Sequence, residues 1–410
     1  MVSSVTVGGS GNPTATISFD SQYNLALAER IAAQINAGIG AGTIVTAYDT
    51  QGSPPPLPAG VSGVLVQSRS ELMVMPRGYT TDLVTKPGTA IVFGSGAPDE
   101  TILSDKKTDL TFIAVGGSGT VVAGGGDNRL AVGGSGNWSL YTGGGDDIIA
   151  ALGAVNATIG AGGGDNSILL GNGSDLVIST GDDTISGGSG AETVDATGAR
   201  RDFVQGDASH LLFIGGAGGA TILGGTGSDT YLGSAGSTGK QVIVGGSAGN
   251  NFLFAGAGAA TLVGGGNNDQ LLAYGNAAQL LVAASGNETL SAALSSGNDT
   301  LRAGAGRDLL IGGTGADTFI GGSGHSTVTA GTGRQVFTFI NHEAGGTELV
   351  QGMFDPADIR IDLQGYGHDA INRALASQTV ANGSVTISLI DGTKVTFQDV
   401  ASLNRSNFIS

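Results

Sequence analysis

Cysteine is absent from all 410 residues, which removes disulfide staples and any thiolate metal site. Aromatic residues make up only 5% and charged residues only 12%. Basic residues are scarcer still: 17 Lys and Arg stand against 34 Asp and Glu, for a formal net charge of −17. That balance repels a phosphate backbone or an anionic bilayer and favours divalent cations, so nucleic acid is excluded as a partner. No apolar run approaches the roughly 20 residues of a membrane helix, which excludes membrane insertion. The start, Met1 to Gly9, shows no basic segment leading into an apolar stretch, so no cleavable leader is read there. The hydrophobic fraction is nevertheless 40%, too high for a disordered glycine-rich linker.

What the chain does have is glycine, 76 residues of it, concentrated between about Gly116 and Gly333. Most segments there follow one plan: a glycine turn, a polar or acidic residue, then a short apolar pair. Gly312-Gly313-Thr314-Gly315-Ala316-Asp317-Thr318-Phe319-Ile320 is complete, and Gly224 to Leu232, around Asp229, repeats it almost letter for letter. Asp299, Asp308, Asp317 and Ser326 lie nine apart, and Asn128, Trp138, Asp147, Ala157, Asn166, Asp175, Asp183 and Glu192 keep nearly the same step. A unit this short cannot be a helical hairpin or a propeller blade. It predicts an all-β fold, a parallel β-roll or β-solenoid in which two segments make one coil of about 18 residues.

These Gly-Gly-X-Gly-X-Asp-X-apolar-X segments resemble the calcium-binding nonapeptide repeats of the RTX (hemolysin-type) proteins, most clearly at Asp229, Asp308 and Asp317. The resemblance implies Ca²⁺ held between glycine turns and Asp carboxylates, and export through a type I system that reads an uncleaved C-terminal signal. On one edge the paired loops lie two segments apart. The candidate metal ligands are therefore Asp299 with Asp317, Asp308, Asp229, and the acidic run Asp147, Asp165 and Asp183. Calcium takes six to eight hard oxygens, which stacked turns supply as carbonyls plus one carboxylate per loop. Stacked Asn and Thr ladders could satisfy the same turns without metal.

Alternate segments assign the polar positions to two edges. One edge carries Asn128, Asp147, Asn166 and Asp183, and the other Trp138, Ala157, Asp175 and Glu192. Further on, Asp229, Asn251, Asp269, Glu288, Asp308 and Ser326 face Ala220, Ala260, Gln279, Asp299 and Asp317. Trp138 replaces an expected Asp and is expected to point outward. Arg200-Arg201-Asp202 is expected to interrupt the repeat between Ala196 and Leu212.

Residues 1–112 do not repeat and are expected to form a small α+β cap over the first coil. It would contain a strand at Thr14–Phe19, an amphipathic helix from Ser21 to Ala37 ended by Gly38 and Gly40, an exposed Pro-rich loop at Gln51–Gly60, and strands near Gly63–Gln67, Glu71–Met75 and Ala90–Phe93. The solenoid is assigned to 113–335 and a β-rich cap with a secretion signal to 336–410. That cap includes strands at Val336–Ile340 and Asp358–Leu363, a helix at Asp369–Ala376, and a hairpin about Asp391-Gly392.

No catalytic constellation emerges. His210, His325, His342 and His368 are scattered, Gly245-Gly246-Ser247-Ala248-Gly249 is a repeat turn rather than a nucleophile elbow, and Gly239-Lys240-Gln241 lacks a phosphate loop's frame. The expectation is a secreted, non-enzymatic structural protein that associates head-to-tail with copies of itself. The alternative is a monomeric adhesin for cell-surface polysaccharide.

Overall fold

In a computed structural model, the chain is described over residues 3–9, 13–51, 53–207, 210–352 and 356–409. Met1, Val2, Gly52, Ala208, Ser209 and Ser410, which fall within segments read above, lie outside the described residues. The chain divides into two compact units, Met1–Phe203 and Val204–Ser410.

Each unit is a parallel β-solenoid with two sheets. In the first, one sheet stacks Ile44–Tyr48, Ser62–Gln67, Tyr79–Val84, Glu100–Ser104, Gly119–Ala123, Ser135–Tyr141, Ala154–Gly162, Asp175–Ser179 and Glu192–Ala196 in parallel register. The facing sheet runs from Leu72–Val74 through Gly88–Phe93 and Thr108–Ala114 to Asp182–Ser186. Short strands with period-two side chains present one residue of each apolar pair inward. Phe112, Leu130, Ile149, Ile168 and Ile185 form one such row, each at most 1% exposed.

Glycine is obligatory where coils nearly touch. A Cβ on Gly306 would sit 1.4 Å from the Gly286 carbonyl oxygen, and one on Gly162, whose φ is +72°, would sit 1.9 Å from that of Gly143.

The second unit repeats the plan. Its two inner rows run Phe213, Tyr231, Leu253, Leu271, Leu290, Leu310 and Val328, and Ile222, Ile243, Leu262, Leu281, Leu301, Phe319 and Phe337. Phe319 stacks on Phe337 at 5.5 Å, and Phe337 meets Phe397 edge-on at 5.5 Å.

Three expectations change. Coils begin at Ile44, not after residue 112, because the early turns, such as 68–71, 75–78 and 85–87, lack the Gly-Gly-X-Gly pattern that marks the repeat. Among the described residues of this part, strands β1 (Ser3–Gly8) and β2 (Thr14–Phe19) and helix α1 (Gln22–Gly40) lie outside them, and they pack on a flank rather than over an end. Together they cover an outward apolar row of Val66, Leu83, Leu103, Val122 and Tyr141. Asn24 reaches from α1 to the Ala123 and Thr142 carbonyls at 3.1 and 2.8 Å. The helix starts as expected, with Ser21 as its cap, but runs through Gly38 and Gly40.

Coiling also continues past residue 335. Gln335–Ile340 pairs in parallel with Ile359–Gln364, and Thr347–Gln351 with Lys394–Phe397. The parallel stack then stops because Ser384–Ser388 pairs antiparallel with Lys394–Phe397, in the hairpin expected at Asp391-Gly392. The short helix is present as Ala370–Ala376.

One charged residue lies in the apolar core. Asp82 sits in register between Leu65 and Ile102, is fully buried, and neither of its carboxylate oxygens has a partner. Burial, with the Asp49 charge nearby, pushes its carboxyl up to about 8. The folded state thus keeps a proton that the unfolded chain releases near pH 4, so stability falls as pH rises from about 4 to about 8. Asp82→Leu should raise the melting temperature at pH 8, by the equivalent of about 1–4 kcal/mol, and flatten this pH dependence. An unchanged or lowered melting temperature at pH 8 would contradict that account.

Candidate metal centre: two ladders of buried acids and amides

Each coil edge carries a column of inward polar residues placed where a glycine turn enters a strand. In the first unit one column is Asn128, Asp147, Asn166, Asp183 and Asp202, and the second includes Trp138, Ala157, Asp175 and Glu192. In the second unit one column is Asp229, Asn251, Asp269, Glu288, Asp308, Ser326 and Glu348, and the other Ala220, Gln241, Ala260, Gln279, Asp299, Asp317 and Gln335. The edge assignment from spacing therefore holds, and gains Asp202, Gln241, Gln335 and Glu348.

One bond recurs along the columns. A side-chain oxygen accepts the backbone N–H of the column residue one coil earlier, as in Asn128 N–H to Asp147 at 2.7 Å, Asp229 N–H to Asn251 at 2.7 Å, and Asp299 N–H to Asp317 at 3.0 Å. Donor and acceptor lie between 17 and 22 residues apart, so the ladder tolerates variable coil length. The second oxygen often turns back to its own glycine turn, as Asp308 does to Gly304 N–H and Asp317 to Gly313 N–H, at 2.8 and 2.7 Å.

What stacks on a carboxylate decides its charge. Asn128, Asn166 and Asn251 donate their amides to Asp147, Asp183 and Asp269 at 2.9, 2.7 and 2.8 Å. Gln279 gives its amide to three turn carbonyls, of Gly256, Gly258 and Tyr274, all at 2.9 Å. At these steps an amide donates to the buried oxygens of the column or turn.

Elsewhere acid stacks on acid: Asp175 on Glu192, Asp183 on Asp202, Asp269 on Glu288 on Asp308, and Asp299 on Asp317. One oxygen each of Asp175, Asp202, Glu288 and Asp299 is buried there with no partner. Asp147 and Asp229 carry a similar orphaned oxygen. Burial raises the carboxyls of Asp175, Asp183, Asp229, Asp299 and Asp317, and takes Asp147 and Asp202 to about 6. Glu288 is raised by burial and then by the Asp308 carboxyl against it. Buried, orphaned anionic oxygens beside turn carbonyls fit a hard cation such as Ca²⁺. Among the described residues no three acids or histidines converge on one point, so each ion would draw mostly on carbonyls and water.

Of the seven ligands read from sequence, Asp147, Asp183, Asp229, Asp299, Asp308 and Asp317 lie in the columns. Asp165 does not. It is exposed, one residue before the column position held by Asn166, and its N–H donates to Asp146. Counting eighteen residues from Asp147 selected it, whereas the coil is nineteen there. Trp138 is also corrected: it is 1% exposed and packs on Phe112 at 5.5 Å, because its column position faces inward. Asp202 continues the column rather than interrupting it, with Arg200 and Arg201 paired outward to Asp182 at 3.2 Å. Glu288, Asp175 and Asp202, which stack against other column acids, were not among the candidates read from sequence. Their shared column position with Asp308, Glu192 and Asp183 was the available signal.

The family model for the RTX calcium-binding nonapeptide repeat matches four copies, over residues 179–200, 245–273 and 295–328. The chain thus carries calcium-binding RTX repeats, and Ca²⁺ is the cofactor they take. The matched segments include Asp183, Asp269, Asp299, Asp308 and Asp317, while Asp147, Asp165 and Asp229 fall outside them. No curated protein matches the chain.

Without metal, the raised carboxyls make stability fall as pH rises from about 4 to about 6, since the folded state holds protons longer than the unfolded one. Millimolar calcium should cancel that fall, because it binds the ionised form. Melting curves from pH 4 to 7, with calcium and with chelator, check this; parallel curves would exclude calcium from the raised carboxyls.

Proposed function

We propose that these calcium-binding repeats serve a secreted structural protein, held together by calcium and assembled from copies of the same chain outside the cell. The ions sit at the acid-on-acid steps, with Asp299 and Asp317 holding one and Glu288 and Asp308 another, while the amide-stacked steps need none. The chemistry calcium supplies is charge neutralisation: it joins successive coils where two buried carboxylates would otherwise repel.

The observation that carries self-association is an open edge. Among the described residues Leu72–Val74 pairs on one side only, with Gly88–Phe93, and Leu72 and Val74 are 54% and 61% exposed. An apolar edge strand with free backbone groups is a template for another chain. From it an outward apolar row runs in register through Val74, Phe93, Ile113, Ala131, Ala150 and Leu169. The buried acids are placed for ladders and ions rather than for turnover, which favours a structural role over catalysis. RTX repeats are typical of secreted proteins, and no helix among the described residues is long and apolar enough to cross a membrane.

Light scattering and negative-stain microscopy test the reading. Calcium should produce particles larger than one chain, and a chelator should disperse them. Asp299→Asn, which keeps a ladder acceptor but removes a charge, should bind calcium about tenfold more weakly by calorimetry, roughly 1.4 kcal/mol, yet melt no lower than the parent in chelator. Monomers at all calcium concentrations would refute self-association, and unchanged calcium affinity in Asp299→Asn would refute the assigned site.

A further inference from the structure

The residue just before each column position faces solvent, and its charge differs between the two units. In the first unit this outer row reads Asp109, Asp127, Asp146 and Asp165, all exposed, before Asp182 is neutralised by Arg200 and Arg201. The carboxylates are held at a fixed pitch. Asp127, Asp146 and Asp165 each donate a backbone N–H to the preceding Asp of the row, at 3.1, 3.0 and 2.9 Å. The same position on the opposite edge carries Asn137, Asn156 and Ser174, with no charge.

In the second unit the corresponding row along one column reads Ser228, Asn250, Asn268 and Asn287, then turns basic with Arg307, His325, Thr347 and Lys394. Arg307 keeps the row's bond, its N–H donating to Asn287 at 2.9 Å. Arg307, His325, Thr347 and Lys394 are exposed and in register on four neighbouring strands. They line an open groove of about 720 Å³. Its floor is a second in-register row, Leu309, Thr327, Leu349 and Thr396, and Thr386 stands beside Thr396. Neither Arg307 nor Lys394 is ion-paired among the described residues. The acids at the groove, Asp308 and Glu348, are buried. Burial raises the Glu348 carboxyl to about 8, so it does not cancel the cations at neutral pH.

We propose that this groove is the docking site for the aspartate row of a second copy, which rests on the self-association reading above. Both rows occupy the same position of the repeat. Both therefore share the strand-to-strand spacing of about 4.8 Å. The aspartate teeth meet, at equal pitch, a row whose end positions Arg307 and Lys394 are cationic and whose His325 and Thr347 between them are polar, a match that a polyanion of unrelated repeat does not make. The contact is heterologous, so it leaves each copy with an unused comb and propagates. The remaining charge of the chain is strongly negative, so the paired rows select one docking mode against general repulsion.

Charge reversal in solution tests this. Arg307→Glu with Lys394→Glu reverses the groove, and Asp127→Lys with Asp146→Lys reverses the comb; all four positions are exposed. Circular dichroism and melting establish that the variants fold. Sedimentation velocity in calcium should show that each double variant alone associates at least about tenfold more weakly than the parent. An equimolar mixture of the two should associate, through the intact comb of the groove variant in the intact groove of the comb variant and through the two reversed faces. Parent-like association of the groove variant, or no recovery in the mixture, overturns the docking site while leaving self-association intact. A parent that stays monomeric overturns both. Loss of polygalacturonate binding by the groove variant, with self-association unchanged, would assign the groove to an acidic polysaccharide instead.

Discussion

Each coil edge depends on one bond, the side-chain oxygen of a column residue accepting the backbone N–H of its predecessor one coil away. A parallel solenoid has to turn its chain twice per coil, and every turn leaves strand-entry N–H groups pointing inward, away from water. Left unpaired, each would cost about 1–3 kcal/mol. The columns provide acceptors for them, with Asp, Asn and Gln all serving. Where the position holds Ala157 or Ala260, or the bulky Trp138, that residue has no oxygen to offer, and the neighbouring rungs carry the edge.

The choice between amide and carboxylate decides whether a rung carries its own compensation. Amide and carboxylate satisfy the ladder equally well as acceptors, but only the amide also donates. Alternating Asn and Asp, as at Asn128, Asp147, Asn166 and Asp183, carry their own compensation. Consecutive acids do not, and a buried charge without compensation is expensive. The acid-on-acid steps at Asp183 and at Asp299 with Asp317 fall in or beside the segments matched to calcium-binding repeats. The chain thus mixes amide-compensated and acid-on-acid rungs within one architecture.

Much of this was legible in the spacing. The nine-residue step identifies the solenoid, assigns most repeats to an edge, and selects Asp299 with Asp317 as column neighbours. It fails where coil length departs from eighteen, which is why Asp165 was chosen in place of the column position at Asn166, and why Asp202 looked like an interruption. Coils without glycine turns were also invisible. The strands at Ser62–Gln67, Leu72–Val74 and Gly88–Phe93 were foreseen, but not that they stack in register with the repeats.

The sequence by itself determined the fold class, the inward apolar rows and the calcium-binding chemistry, because all three are encoded in local period: glycine where φ or close approach demands it, one acceptor per turn, one apolar residue per strand. Only the tertiary structure decided which acids meet acids, that the N-terminal helix shields a flank, that Trp138 and Asp82 are buried, and that exposed rows of opposite charge occupy the same repeat position. Those outcomes depend on register between coils, and register is set by loop lengths summed along the chain rather than by any local pattern.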